Sequence, residues 1–503
     1  MQIKLFLSVF IFFSVIKTQA EGQSEFLARV DHAMNRMSYA ARPSERAEII
    51  RGGESALQKW INQQFEPDKI NDHFVESLLA RHESLNSSLE ELVLKYSDKP
   101  TESTATELKP DEIRKLWSSA KIVRAIFSKR QLQERLVDFW FNHFNVDQRK
   151  GKTRWFFGPY ERDAIRPYIF GNFKDMLRAT ARHPAMLFYL DNHLSQKSDP
   201  KKPTQSGLNE NYGRELLELH TLGVNGGYTQ NDVTEAARVL TGWSITDVNK
   251  SPIFQFKENK HDTRPKKVMT WEFKENLGVT EGEQLLQNLA AHPATANHIS
   301  TQLVRAFVAD PPPMSLVEKV SAAFKKSNGH LPTVYKALFQ SKEFWDPKYR
   351  LSLVKDHFTW LISSIRTLNG EVIWKNSLIN EFNQLGQPLY QCAPPTGYVA
   401  RADDIINAST LVQRMNLSLR LASGRIDGIY ITGQDKFRAE SIDQVITTLS
   451  QKVGIEKLSE STHNTLKQEM IGEVWQTADF EVRPFIFSRL LGLILASPDF
   501  QRM

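Results

Sequence analysis

Apolar residues recur at three- and four-residue spacing through almost the whole chain: from Glu25 to Arg130, from Gln131 to Trp243, from about Thr280 to Asn369, and again toward the C-terminus. A helix turns once in 3.6 residues, so this spacing stacks apolar side chains on one face and predicts a mainly α protein, a multi-helical globular array. Pro43 and Pro110 stand where two of these runs begin, a position that suits proline because the first turn needs no backbone N–H. Between Ser244 and Lys274 the period changes. IFQFK and VMTWEFK partly alternate apolar with polar residues, which predicts a small β-hairpin excursion. The segment GQPLYQCAPPTGY at 386–398 holds three prolines and two glycines and cannot be helical. No fixed-period repeat is present, which argues against a solenoid. The expected divisions are a leader at 1–20, a helical part at 21–130, a central block at 131–243, the excursion at 244–275 and a helical part at 276–503, with 21–503 as one continuous domain the simplest alternative.

The leader is read from MQIKLFLSVFIFFSVIKTQA, with Lys4 ahead of an apolar run and small residues around Ala20. The protein is therefore expected to be exported, to the periplasm or beyond the cell. The run is shorter than the ~20 residues a membrane span needs, and no comparable run follows, so an integral membrane protein is not expected. The net charge of +6 falls to +4 once Lys4 and Lys17 leave with the leader, too weak a balance to suggest nucleic acid as a partner. Cys392 is the single cysteine, which excludes an internal disulfide, a four-cysteine metal centre and covalent haem attachment. It is read as a buried small hydrophobe, with an exposed reactive thiol as the second possibility. The common enzyme signatures (G-x-S-x-G, H-E-x-x-H, the phosphate-binding loop, G-x-G-x-x-G) are missing.

Two histidines lie in apolar helical faces. In NENYGRELLELHTLG, Tyr212, Leu216, Leu219 and His220 share one side of a wheel at about 100° per residue, and Arg214 and Glu218 lie opposite, spaced to form a solvated pair. Glu215 sits about 140° from His220, so the two cannot chelate one ion from this helix alone. In QLQERLVDFWFNHFNV, His143 falls in line with Leu132, Leu136, Phe139 and Trp140. An imidazole in an apolar face is hydrogen-bonded, charged against a carboxylate, or ligated, because leaving it unpaired costs roughly 1–3 kcal/mol. The satisfied core histidine is the commoner case for each, and two in neighbouring segments raise the weight of a paired site. His261 and Asp262 lie among Lys257, Lys260, Arg264, Lys266 and Lys267. The plain reading is a solvated charged hairpin. The sharper one folds it over the helices, so that His261 or Asp262 joins His143 and His220 while the lysines receive an anionic substrate. Downstream, Thr229 and Asp232 predict a capping box opening the next helix, with Gly242 ending it.

Taken together, FWFNHFNV, YERDAIRPYIFGNF, ARHPAMLFYLDN, LNENYGRELLELHTLGVNGGYTQNDV, ARVLTGW, KHD, HPATANHI, RAFVADPPP, GQPLYQCAPPTGY and LGLILASPDFQ resemble the bacterial domain of unknown function 1800 family, in order and from Phe26 to the end of the chain. The resemblance implies a large exported protein with no established activity, and as a partner a second exported family, domain of unknown function 1501, similar to the alkaline phosphatase and sulfatase superfamily. The family's polar motif positions fall here on His143, Asn209, Glu210, Arg214, Glu215, Glu218, His220, His261 and Asp262. The chain departs from the family pattern at Ala40 (usually Gly), Gly213 (usually Ala) and Asp356-His357 (usually a small polar residue and Pro).

Two functions compete on this reading. The first is a hydrolase acting on an anionic envelope or extracellular polymer, with His143, Glu215, His220 and Asp262 catalytic and Arg214, His261 and Lys266 on the substrate. One divalent ion is its expected cofactor, with His143 and His220 as candidate ligands; imidazole and carboxylate suit zinc, iron or manganese. The second is a non-catalytic binding or assembly protein working with the companion family, in which the same residues form a network that fixes helix packing.

Overall fold

The computed structural model describes residues 22–96, 110–198, 207–373, 377–399, 401–431, 438–439, 441–470, 480–481 and 484–503. The leader and the middle of the polar loop at 195–207 lie outside them. The protein is 65% helical, with only two-stranded sheets among the described residues. No described helix is long and apolar enough to cross a membrane.

The helices that frame the polar clusters are α1 (22–37), α2 (Pro43–Gln64), α3 (Pro110–Phe127), α4 (Gln131–His143), α5 (Asn211–Glu215, continued to Thr221), α6 (Gln230–Val239), α7 (Val279–Ala291), α8 (Pro293–Phe307), α9 (His357–Thr367), α10 (Ala408–Ala422) and α11 (Pro484–Ala496). Prolines open α2 and α3 as expected. One apolar cluster runs from Val30 to Phe500 and draws on helices from every part of the chain. At its middle every residue of α9 is buried. Its polar residues survive there because Ser363, Ser364 and Thr367 return their hydroxyls to the carbonyls of Thr359, Trp360 and Ser363, four residues back.

The segment at 386–398 is irregular and lies against the end of α4. Prolines supply no donors, and only two turn bonds form within the segment, Gln391 N to Pro388 O (3.3 Å) and Gly397 N to Pro394 O (3.2 Å), so neighbouring amides satisfy further carbonyls. Gln148 Nε2 donates to Leu389 O (2.8 Å), and Asn145 Nδ2 to Cys392 O (2.9 Å) and Pro394 O (2.8 Å). Asn142 exchanges bonds with the backbone of Tyr398.

The excursion after α6 is two antiparallel hairpins, β1 (Trp243–Asp247) with β2 (Ser251–Phe256), and β3 (Lys266–Val268) with β4 (Trp271–Phe273). His261 and Asp262 lie between them, after a 3-10 turn at Glu258–Lys260. The solvated-hairpin expectation is corrected here: His261, Asp262 and Lys266 are all buried. The charges of Asp262 and Lys266 are met by Arg238, Arg264 and Glu281, residues separated from them in sequence or hidden in a run that reads as basic.

Candidate functional site: three histidines at a helix end

α5 begins as an α-helix at Asn211, and from Leu216 to Thr221 it is a π-helix with one more residue in each hydrogen-bonded ring. Gly223, at φ +82°, ends it and donates to Leu217 O (3.2 Å). The last carbonyls of a helix have no partner within it. Here two imidazoles from other helices supply the donors: His298 Nε2 to Leu219 O (3.0 Å) and His143 Nε2 to His220 O (3.2 Å). Both therefore carry the proton on Nε2, and when neutral only Nδ1 is left as an acceptor.

The three rings sit together, His143 at 6.3 Å from His220 and 6.1 Å from His298 between centroids, with Phe144 and Trp140 edge-on to His143. Burial, then the charges that His298 and His220 would bring, holds His143 well below the ordinary imidazole range. Burial and His298 bring His220 down to about 3, and burial lowers His298. All three are neutral at pH 7. His220 Nε2 is buried and has no partner among the described residues.

Two of the three imidazoles spend Nε2 on helix carbonyls, and among the described residues no three His, Cys, Asp or Glu side chains converge to hold an ion.

Glu215 is half-buried on the flank of α5, its carboxyl raised by burial and by Glu218. The expected Arg214–Glu218 pair is not formed. Arg214 binds Glu210 (3.3 Å) and Gln230 Oε1 (3.1 Å), and Glu218 accepts from the Tyr228 hydroxyl (3.3 Å). The pair assumes an α-helical step, and the π-helix begins between its members.

His261 and Asp262 find their partners on α6 and α7. His261 Nδ1 donates to Thr241 O (2.8 Å), while its Nε2 faces Glu281 Oε1 at 3.5 Å. Lys266 Nζ donates to Glu281 Oε2 (2.6 Å). Both Asp262 oxygens are taken: Arg238 Nε donates to Oδ2 (2.9 Å), and Arg264 Nε (2.9 Å) and backbone N (3.1 Å) to Oδ1. Against the opposing effect of burial, Arg264 and Arg238 hold this carboxyl far below its usual range. The single cluster expected from sequence is thus two, one built on α4, α5 and α8, the other on α6, α7 and the hairpins.

Sequence reasoning missed His298, Glu281 and Arg238. His298 is a third histidine beside a helical apolar face, the signal that exposed the other two; Glu281 and Arg238 look like ordinary surface charges until their partners are known. Cys392 is buried, and burial with Asp147 pushes its thiol up to about 11, so it is a protonated small hydrophobe.

The polar motif positions 143, 214–220 and 261–262 are thus placed at the joints between helices. The chain matches the family described as protein of unknown function (DUF1800) over residues 32–502. It belongs to that family. No curated protein matches it, and no solved structure does. The DUF1800 match spans both polar clusters, the buried α9 and the clasped proline segment.

Proposed function

We propose that this DUF1800 protein is a non-catalytic binding or assembly protein, exported and acting with a companion protein of the domain of unknown function 1501 family. The observation that carries this reading is the use of His143 and His298 to cap α5. A general base or metal ligand needs a free nitrogen aimed at a reacting group; donation by Nε2 leaves each of these rings only Nδ1, and among the described residues no set of three His, Cys, Asp or Glu side chains converges to hold an ion. Asp262, clamped by two guanidinium groups, is equally committed. Such networks fix how helices meet, and their members are as intolerant of change as catalytic residues.

An outer row on α10, Leu411, Val412 and Met415, is where a partner would gain most, since it is apolar and more than a third exposed. The test combines mature protein purified without chelators or a histidine tag, its His143→Ala/His220→Ala variant, and the purified companion protein. The proposal expects no stoichiometric metal in either form, and co-elution with the companion that Leu411→Asp/Met415→Asp abolishes. A near-stoichiometric ion lost in the histidine variant would reject it in favour of the metal-assisted hydrolase.

A further inference from the structure

Several buried or half-buried cations among the described residues meet carboxylates. Arg166 binds Glu134 and Glu161, Lys266 binds Glu281, and Arg366 binds Glu45. One interior region is different. Arg36 of α1, Arg135 of α4, Lys355 ahead of α9 and Arg414 of α10 are all buried. The acceptors of Arg414 are neutral: His357 Nδ1 (3.0 Å), Gln501 Oε1 (3.0 Å) and Lys355 O (2.9 Å). Asp356 is the carboxylate that acts on Arg414, and its Oδ1 caps α9 at Thr359 N (2.6 Å).

The other three cations are left with donors to spare. Arg36 gives Nη2 to Tyr349 O (2.8 Å) and Ser352 Oγ (3.1 Å), while its Nε and Nη1 are buried without partners among the described residues. Arg135 gives Nη1 to Thr359 Oγ1 (2.8 Å), and its Nε is likewise orphaned. Lys355 Nζ lies 4.0 Å over the Phe500 ring and forms no ion pair with a carboxylate among the described residues. Arg36 and Arg135 reach neighbouring parts of the chain where α8 ends. Ser352, which Arg36 reaches, donates to Val308 O (3.0 Å), and the Arg135 guanidinium lies over the ring of the preceding Phe307 and over Tyr39. After burial itself, the charge of Arg135 is what lowers Arg36, to about 9, and Arg414 with Arg135 lowers Lys355, to about 7.

Burying one unpaired cation is costly; a cluster of them with orphaned N–H groups calls for negative charge. We propose that Arg36, Arg135 and Lys355 enclose a small inorganic anion, which supplies the counter-charge and acceptors that the surrounding side chains do not. Its compactness follows from the burial of all three residues, which leaves no route for a bulky group.

The test uses the mature full chain. Protein desalted into a bulky sulfonate buffer is denatured, and the released chloride, sulfate and phosphate are measured by ion chromatography. In parallel, melting temperature is followed while each anion is added at constant ionic strength. The expected result is about one anion released per chain, or a saturable rise of roughly 2–4 °C with one of the three, the identity of the anion being read from which one acts. Arg36→Met should abolish both effects, and Lys355→Met is the second variant should the first not fold. No released anion, together with the same melting temperature in every salt for the wild type, would overturn the proposal and assign the orphaned donors to water.

Discussion

Ala40 has φ +65° and is buried, a conformation that costs an L-residue roughly 1–2 kcal/mol, and its carbonyl accepts from Arg366 Nε (2.8 Å). Ala40→Gly removes the strain but adds freedom to the unfolded chain, so the expected outcome is a net gain below about 1 kcal/mol in urea denaturation. Asp262→Asn has the opposite sign. It breaks a buried ion pair with Arg238, while Arg264 remains free to hydrate because its side chain is mostly exposed, so a loss of about 2–3 kcal/mol is expected in the same measurement. At this scale the sequence reveals burial better than partnership. The wheel correctly turns His220 inward, yet it cannot show that His143 caps the carbonyl of His220, or that the apparently solvated His261-Asp262 pair is sealed by Glu281 and Arg238. Those partners come from other helices, 77 residues away for His143 and His220 and on the flanking helices for His261 and Asp262.

Helix starts and breaks are legible because their chemistry is local. Pro43 and Pro110 open helices, and Thr229 with Asp232 forms the expected capping box. The prolines of 386–398 keep that segment irregular. The π-helix at Leu216–Thr221 is not legible, since one extra residue per ring leaves apolar spacing ambiguous while moving Glu218 away from Arg214. Leu217 and Thr221 are buried together with Leu216 and His220. α5 also packs closely on α6 through Gly213, where an added Cβ would stand 2.9 Å from Ala237 N and 3.0 Å from Val233 O. Gly213→Ala gains about 1 kcal/mol of helix propensity but forces two backbones apart. We expect a net loss of about 1 kcal/mol by chemical denaturation; a net gain would mean that α6 yields without cost.

The fold class follows from periodicity repeated along hundreds of residues, whereas the choice of which helices touch depends on the whole core and is not written in any one segment. The same core makes the molecule acid-sensitive. Burial lowers His32, His183 and His220 to about 3, and burial with Arg414 lowers His357 to about 4. Their folded values lie below the unfolded value near 6.5, so the unfolded chain binds more protons in that interval. Stability contributed by keeping them neutral is full above pH 6.5 and falls as pH drops toward 4, by at most about 1.4 kcal/mol per pH unit for each histidine. Asp31 and Glu215, whose carboxyls are raised, act in the opposite sense, but closer to the ordinary carboxyl range. Urea midpoints should therefore hold between pH 8 and 7 and fall clearly between pH 6 and 5; a flat profile would show that these imidazoles are charged or solvated.

The central claim, that His143 and His298 are neutral helix caps, is tested most directly by nitrogen NMR of the histidine-labelled protein between pH 5.5 and 8, with and without added zinc or manganese. The account predicts neutral Nε2–H tautomers for both rings at pH 7 and above, indifferent to metal, with His143 unchanged across the whole range. An Nδ1–H tautomer, titration near pH 6.5, or a shift or broadening of these signals by stoichiometric metal would contradict it.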